Sequence, residues 1–260
     1  MSQWSKRALR GVGITAFWLC LWEIGSLVVG KTLLLPSPFE TGAALLSLMG
    51  TWPFWASVAT SLMRMLLGYG AGVLLGAALG VLTAFSPFCH ALLKPLRSIV
   101  KATPVASFIL LVLLWMPNGA VPVFIAFLMV LPMIWMSVQQ AVMAVDGQLL
   151  EMAQVFSLNR RKKAAYIYLP HVLPQLLAAC VTGLGFAWKA GVAAEVLARA
   201  PYSIGKGISD SKAYLEIPEL FAWTAVVIAL SMLLEWALTR GMGKLGGGAG
   251  RWERGRKHER

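Results

Sequence analysis

The chain has 260 residues, of which 58% are hydrophobic and only 13% charged, against roughly 45–50% and about 25% in soluble domains. With a mean hydropathy of +0.71 there is too little polar surface to wet a globule, so a soluble or a disordered protein is excluded. The net charge of +12 would suit nucleic acid only if the basic residues shared a wettable face, and they lie instead between long apolar runs.

A helix rising 1.5 Å per residue needs about 20 apolar residues to cross roughly 30 Å of hydrocarbon. In chain order the candidate spans are Gly11–Val29, Arg64–Phe85, Ser98–Met116, Gly119–Val145, Val172–Leu197 and Leu220–Leu238. They predict an all-α, polytopic membrane bundle of six transmembrane helices. The first run is too long for a signal-peptide core and shows no small-residue cleavage site, so it reads as an anchor. Trp52, Phe54 and Trp55 are expected as an interfacial belt before the second span, with Arg64 anchoring at the outer interface. Within that span Gly68, Gly72, Gly76 and Gly80 recur every fourth residue, a small-residue stripe that lets another backbone approach. Its neighbour is either a helix of the same bundle or a second subunit. The third run is the least regular, because Lys101 and Pro104 interrupt its start; a lysine near a helix end can snorkel to the headgroups.

Six spans leave both termini on one side. Basic residues gather before the first span (Lys6, Arg7, Arg10), between the second and third (Lys94, Arg97, Lys101), between the fourth and fifth (Arg160 to Lys163) and after the sixth. The positive-inside rule makes that side cytoplasmic. The expected organisation is a cytoplasmic N-terminus over 1–10, a transmembrane domain over 11–241 and a flexible basic tail over 242–260 resting near anionic lipid.

No chemistry of its own is legible in the chain. Gly25-Ser-Leu-Val-Val-Gly-Lys31-Thr32 matches the phosphate-loop pattern letter for letter, but that pattern needs a strand before the loop and a helix after it. Here a membrane helix precedes it, and Pro36 and Pro38 follow too soon. His90, His171 and His258 form no HExxH, and Asp146 and Asp210 lie in loops, so no catalytic residue, metal site or cofactor is expected. Cys20, Cys89 and Cys180 are far apart, form no CxxC pair and read as apolar fillers.

The connection between the fourth and fifth spans is more informative. Asp146 suits an N-cap, and Leu149, Met152 or Ala153, and Phe156 then share one face of a short helix. Ser157-Leu158-Asn159 turns the chain, and Arg160 to Lys163 open a basic helix. A short amphipathic helix that cannot bury its face in a six-span bundle either lies on the headgroups or docks on a protein.

Glu151-Met152-Ala153, Ser157 and Ile167-Tyr168-Leu169-Pro170 follow the spacing of the E-A-A-x3-G-x9-I-x-L-P motif, and the chain resembles the bacterial ABC importer permeases that carry it. Met152 stands where the motif has its first alanine, and Ser157 where it has glycine. Further landmarks resemble the sulfonate/taurine/nitrate branch. They are Leu35-Pro36-Ser37-Pro38, Ser61-Leu62-x-Arg64-x3-Gly68-Tyr69, Pro104-Val105-Ala106, Val145-Asp146, and Ala187-Trp188 with Ala194-Glu195. The resemblance spans roughly residues 10–240. It implies a non-catalytic permease subunit in a bacterial inner membrane that itself need bind no nucleotide, metal or nucleic acid, and it implies partners. Those are cytoplasmic ATP-binding subunits, an extracytoplasmic solute-binding protein and a second permease copy in a homodimer, with lipid around them. The short helix then becomes a cytoplasmic coupling helix, with Glu151, Ala153, Ser157, Leu158 and Asn159 as the ATPase-docking residues. A small anion such as a sulfonate, taurine or nitrate is the implied cargo. An ATP-independent channel or secondary carrier is the alternative.

Lys189 is the one basic residue deep in a span, where a charge costs about 2.5–3.5 kcal/mol on insertion scales. It faces a cavity, a partner or an anionic solute, or else forms a structural ion pair or snorkels. Glu195, six residues on and about 120° around the helix, is not its in-helix partner. Both are candidate pathway residues.

Overall fold

A computed structural model describes residues 3–246, with side chains described over 13–100 and 102–242. Among the described residues there is no strand. The helices are α1 (Gln3–Val29), α2 (Pro38–Met49), α3 (Trp52–Phe85), α4 (Pro87–Ala102), α5 (Val105–Val112), α6 (Val121–Met143), α7 (Gly147–Val155), α8 (Arg160–Lys163), α9 (Leu169–Ala198), α10 (Ile204–Ala213) and α11 (Ile217–Gly246). A π-helical turn, Ala164–Tyr168, joins α8 to α9.

Two helices make the central seam. On α3 the buried face carries Ser61, Gly68, Gly72, Gly76, Gly80 and Thr83, while Leu66, Leu67, Leu74, Leu75, Val81 and Leu82 are exposed. That inverts the helix of a soluble protein, and it makes sense only where the outer solvent is hydrocarbon. A Cβ on Gly72 would meet Val130, one on Gly76 the Ile134 side chain and the Leu131 carbonyl, and one on Gly80 Val138 and the Trp135 carbonyl. Gly68 lies against Ala126 and the Val123 carbonyl. Each step of four residues on α3 matches a step of four on α6, so the two helices run parallel and in register.

That parallelism dictates what lies between them. Residues 86–120 must carry the chain back along the seam before α6 can begin. They do so as a broken pair, with α4 and α5 bent by 97° at Thr103-Pro104. Proline fixes its own φ and disfavours helix at the residue before it, so Thr103 is extended at ψ 126°. The single span expected over Ser98–Met116 is therefore two helices meeting at an elbow.

α9 packs antiparallel on α3, with Gly191 against Met65 at one end and Tyr168 edge-on to Phe85 at the other. Its Trp188 donates to the Val227 carbonyl of α11 at 3.0 Å. α6, between α3 and α9, is the best-buried long helix.

Among the described residues four helices are long and apolar enough to cross a membrane: Trp52–Phe85, Val121–Met143, Arg160–Ala198 and Ile217–Met242. The bent pair makes five if taken as one crossing. The apolar part of α1 with described side chains, Gly13–Val29, is shorter than the rest, so the count of six is not reached by length and composition among the described residues. Its Leu27 and Val28 are exposed and the helix runs to Val29, so Gly25–Thr32 is a helix end and a turn, and no phosphate loop.

Two further expectations are corrected. α3 begins at Trp52, well before Arg64, and its 34 residues extend about 51 Å. Phe54 does not sit in a belt with Trp52 and Trp55: it is buried, with its ring 5.0 Å from that of Trp223. Helix α11 runs from Ile217 to Gly246, and residues 247–260 of the expected tail lie outside the described residues.

Candidate functional site

The segment between α6 and α9 is built by its caps. Asp146 accepts a hydrogen bond from the Gln148 amide at 2.9 Å and starts α7. At the other end the Ser157 amide donates to the Gln154 carbonyl (2.9 Å) and the Leu158 amide to the Ala153 carbonyl (3.0 Å). This pair of bonds is a Schellman turn, which requires a left-handed residue after the C-cap. Ser157 occupies that position with φ 49°. Glycine is the motif's residue here because it alone takes that backbone without penalty. Asn159 then accepts from the Lys162 amide at 2.8 Å and caps α8.

Of the five residues expected to dock an ATPase, Ala153 is fully buried, Leu158 is half-buried, and Glu151, Ser157 and Asn159 are exposed. Leu149, Met152, Val155 and Phe156 are exposed as well, the last two by 82% and 71%. The small Ala153 seats the helix, and the larger apolar groups point away from the bundle.

From α8 the chain enters the bundle through the π turn, where the Leu169 amide reaches back five residues to the Ala164 carbonyl. Pro170 follows directly. Its ring would press on the carbonyl four residues earlier, and a wider turn relieves that contact. The Ile-x-Leu-Pro end of the motif is thus the place where α9 is joined to the short helices.

At the opposite end of α3 a buried polar knot appears. The Ser61 hydroxyl donates to Glu195 Oε2 at 2.8 Å and accepts from the Ile204 amide; the Gly205 amide donates to the same carboxylate oxygen at 3.2 Å. Arg64 lies 3.7 Å from Glu195 Oε1 and donates to the Pro201 carbonyl at 3.0 Å. Arg64 therefore faces inward across the bundle and is only 14% exposed; the outer-interface placement expected for it does not hold. Gly205 permits the knot, since a Cβ there would strike Glu195 itself. Ser61, Arg64 and Glu195 belong to two separate landmarks of the sequence, and the fold brings them together.

The two candidate pathway residues part company. Glu195 is fully buried and holds α3, α9 and α10 together. Lys189 is exposed and forms no ion pair among the described residues. A cavity of about 480 Å³ lies between the α4–α5 elbow, α6 and α9, lined by Met129, Met133, Met136, Ser137, Gln140 and Phe186 among others.

A second polar node went unread in the sequence. Gln139 of α6 is 4% exposed; its carbonyl accepts from Arg97 of α4 at 2.8 Å and its amide meets His90. Trp135 donates to the Thr83 hydroxyl at 2.7 Å, and Arg97 lies over the Trp135 ring. A glutamine inside an apolar run was the signal: in hydrocarbon it must find partners. The node ties α4 to the end of the α3–α6 seam. Among the described residues no group of acidic, histidine or cysteine side chains is arranged to hold a metal ion.

Among the described residues, four long apolar helices with a short, outward-turned helix pair between two of them define the architecture of a multi-pass membrane protein. The chain belongs to the family of binding-protein-dependent transport system inner membrane components, whose profile matches residues 68–242. It is 27% identical over 241 residues to the taurine transport system permease protein TauC of Escherichia coli, covering 90% of this chain and 87% of that one. It is 24% identical over 230 residues to the putative aliphatic sulfonates transport permease protein SsuC of Bacillus subtilis, covering 87% and 83%. The inward-facing MetNI methionine ABC transporter shares its fold, with a TM-score of 0.60 at 16% identity over 73% of this chain and 94% of that one.

Proposed function

We propose that this chain is the permease subunit of an ATP-driven importer, gripped by separate ATPase subunits at α7 and supplied by an external solute-binding protein. Two copies form the pathway, and both termini are cytoplasmic. The cargo is a small anion of the kind named for its relatives, taurine or an aliphatic sulfonate. The observation that carries this reading is the exposed apolar face of α7, held rigidly by Asp146, the Schellman turn and Asn159. A helix capped at both ends with Val155 and Phe156 in the open is built to be held by something else. Closure of the ATPase pair would move α7, and the π turn would pass that movement to α9. ATP shifts the equilibrium only by its differential affinity for the two states.

The test is co-purification with the co-expressed neighbouring gene products. Glu151→Lys, or deletion of residues 148–159, is expected to abolish recovery of the ATPase while the permease still inserts. Undiminished recovery with the deletion would refute the docking role. Solute flux through the purified chain without ATP would favour a channel or carrier instead.

A further inference from the structure

We propose that the cavity beside the α4–α5 elbow, together with Lys189, is a binding site for an organic anion with an alkyl or aryl body, the ammonium taking the charged head and the methionines the apolar part. This rests on the reading of the chain as a solute pathway for a small organic anion and goes further, to the residues that take its charged head and its apolar body.

Lys189 follows Phe186 by three residues on α9, so both lie within about 60° of one face. Phe186 lines the cavity and is exposed, as is Thr182 one turn earlier. Ala190, next to Lys189, packs in the same apolar cluster as Met129, which puts the lysine at the level of that end of the cavity. Glu195 is not available to neutralise it, being committed to Ser61, Gly205 and Arg64. Lys189 lies nine residues before the end of α9 at Ala198, about 13 Å along the axis. An exposed cation with no ion pair among the described residues, one helical turn from an apolar cavity, is suited to take a counter-ion from outside.

The cavity decides what the anion carries. Met129, Met133, Met136 and Phe186 give it soft, adaptable apolar walls, and only Thr103, Ser137 and Gln140 among the lining residues are polar. A bare inorganic oxyanion would be stripped of water against thioether and phenyl groups with little returned. An alkyl or aryl chain gains by the same burial, and about 480 Å³ falls in the range of pockets for small organic ligands.

The test uses the full chain in nanodiscs and needs no ATPase, so its outcome is independent of the docking experiment. Saturation-transfer NMR is recorded with hexanesulfonate, methanesulfonate and hexyltrimethylammonium, against empty nanodiscs. Hexanesulfonate is expected to show transfer to its methylenes above the lipid background, and hexyltrimethylammonium is not. Lys189→Gln should raise the half-saturating hexanesulfonate concentration at least about fivefold, and Lys189→Arg should restore it to within about twofold. Phe186→Ala should weaken hexanesulfonate more than methanesulfonate. Equal transfer to the cation and the sulfonate would mean a greasy groove and overturn the proposal, as would an unchanged Lys189→Gln titration. Should that variant fail to fold, the cation-to-sulfonate comparison on the unmodified chain decides.

Discussion

The α3–α6 seam and the α7 segment are both helical, both end on capped turns, and they use their side chains in opposite ways. Along the seam the residues that matter are the smallest: Gly72, Gly76 and Gly80 let backbone meet side chain, and the large apolar groups face away. On α7 a single small residue, Ala153, is buried, and the large apolar groups are left over. In lipid the outward leucines of α3 are at home. The outward Val155 and Phe156 are on a segment flanked by Gln148, Glu151, Gln154 and four consecutive basic residues, where hydrocarbon is a poor neighbour. The seam is a finished interface, and α7 is the segment we propose to be half of one.

The largest effect should come from breaking the seam. Gly76→Leu and Gly80→Leu place a Cβ about 2.8 Å from an α6 carbonyl, which cannot move aside as a side chain can. Overpacking a well-filled core typically costs 1–3 kcal/mol and more where backbone must shift, so we expect loss of the monodisperse protein in size-exclusion chromatography. Gly70→Ala, with nothing within 4 Å of its added methyl, should behave as the unmodified chain. If Gly76→Leu is tolerated, the parallel register of α3 and α6 is wrong.

Next comes the Glu195 knot. Glu195→Ala removes the partner of Ser61, Gly205 and Arg64 at once and leaves a mostly buried guanidinium uncompensated. Breaking such a pair costs roughly 3 kcal/mol or more, and the thermal transition followed by tryptophan fluorescence should fall by several degrees. The double variant Glu195→Gln with Arg64→Met removes both charges and should recover much of that loss. A double variant no better than Glu195→Ala would mean that a neutral amide and an apolar side chain cannot replace the ionised carboxylate and the Arg64 bond to the Pro201 carbonyl.

These two sites also show how far the sequence could be read. The glycine period pointed to a close helix contact, and the partner was open because a stripe of small residues does not say which helix fills it. Ser61, Arg64 and Glu195 stood out as landmarks, yet nothing local joins residues 134 apart in the chain. Lys189 and Glu195 looked alike as charges within one span, and only the packing of α10 separates the buried one from the exposed one. Phe54 and Gln139 were missed for a common reason: in an apolar protein, hydropathy does not tell the core face from the lipid face. The caps of α7 were legible because a cap is decided within four residues.

On α7 the contrast predicts stability and function coming apart. Phe156→Ser and Val155→Ser change groups that are 71% and 82% exposed, so the thermal transition should move by no more than about 0.5 kcal/mol equivalent. Recovery of the ATPase should nevertheless drop sharply. A matching fall in both would place these side chains in a contact within the bundle.

The smallest effect tests the turn itself. Ser157 holds φ 49°, a left-handed conformation that costs a residue with a Cβ about 1–2 kcal/mol. Ser157→Gly should return part of that strain, less the extra freedom glycine has when unfolded, a net gain on the order of 0.5 kcal/mol. Such a change is too small for a reliable thermal shift in a protein of this size, but it is local. Hydrogen exchange at the Ser157 and Leu158 amides, whose bonds to Gln154 and Ala153 close the turn, should slow by about twofold. Ser157→Val, branched at Cβ, should speed exchange at the same two amides and leave those of the α3–α6 seam unchanged, because a finished interface does not feel the strain in an unfinished one.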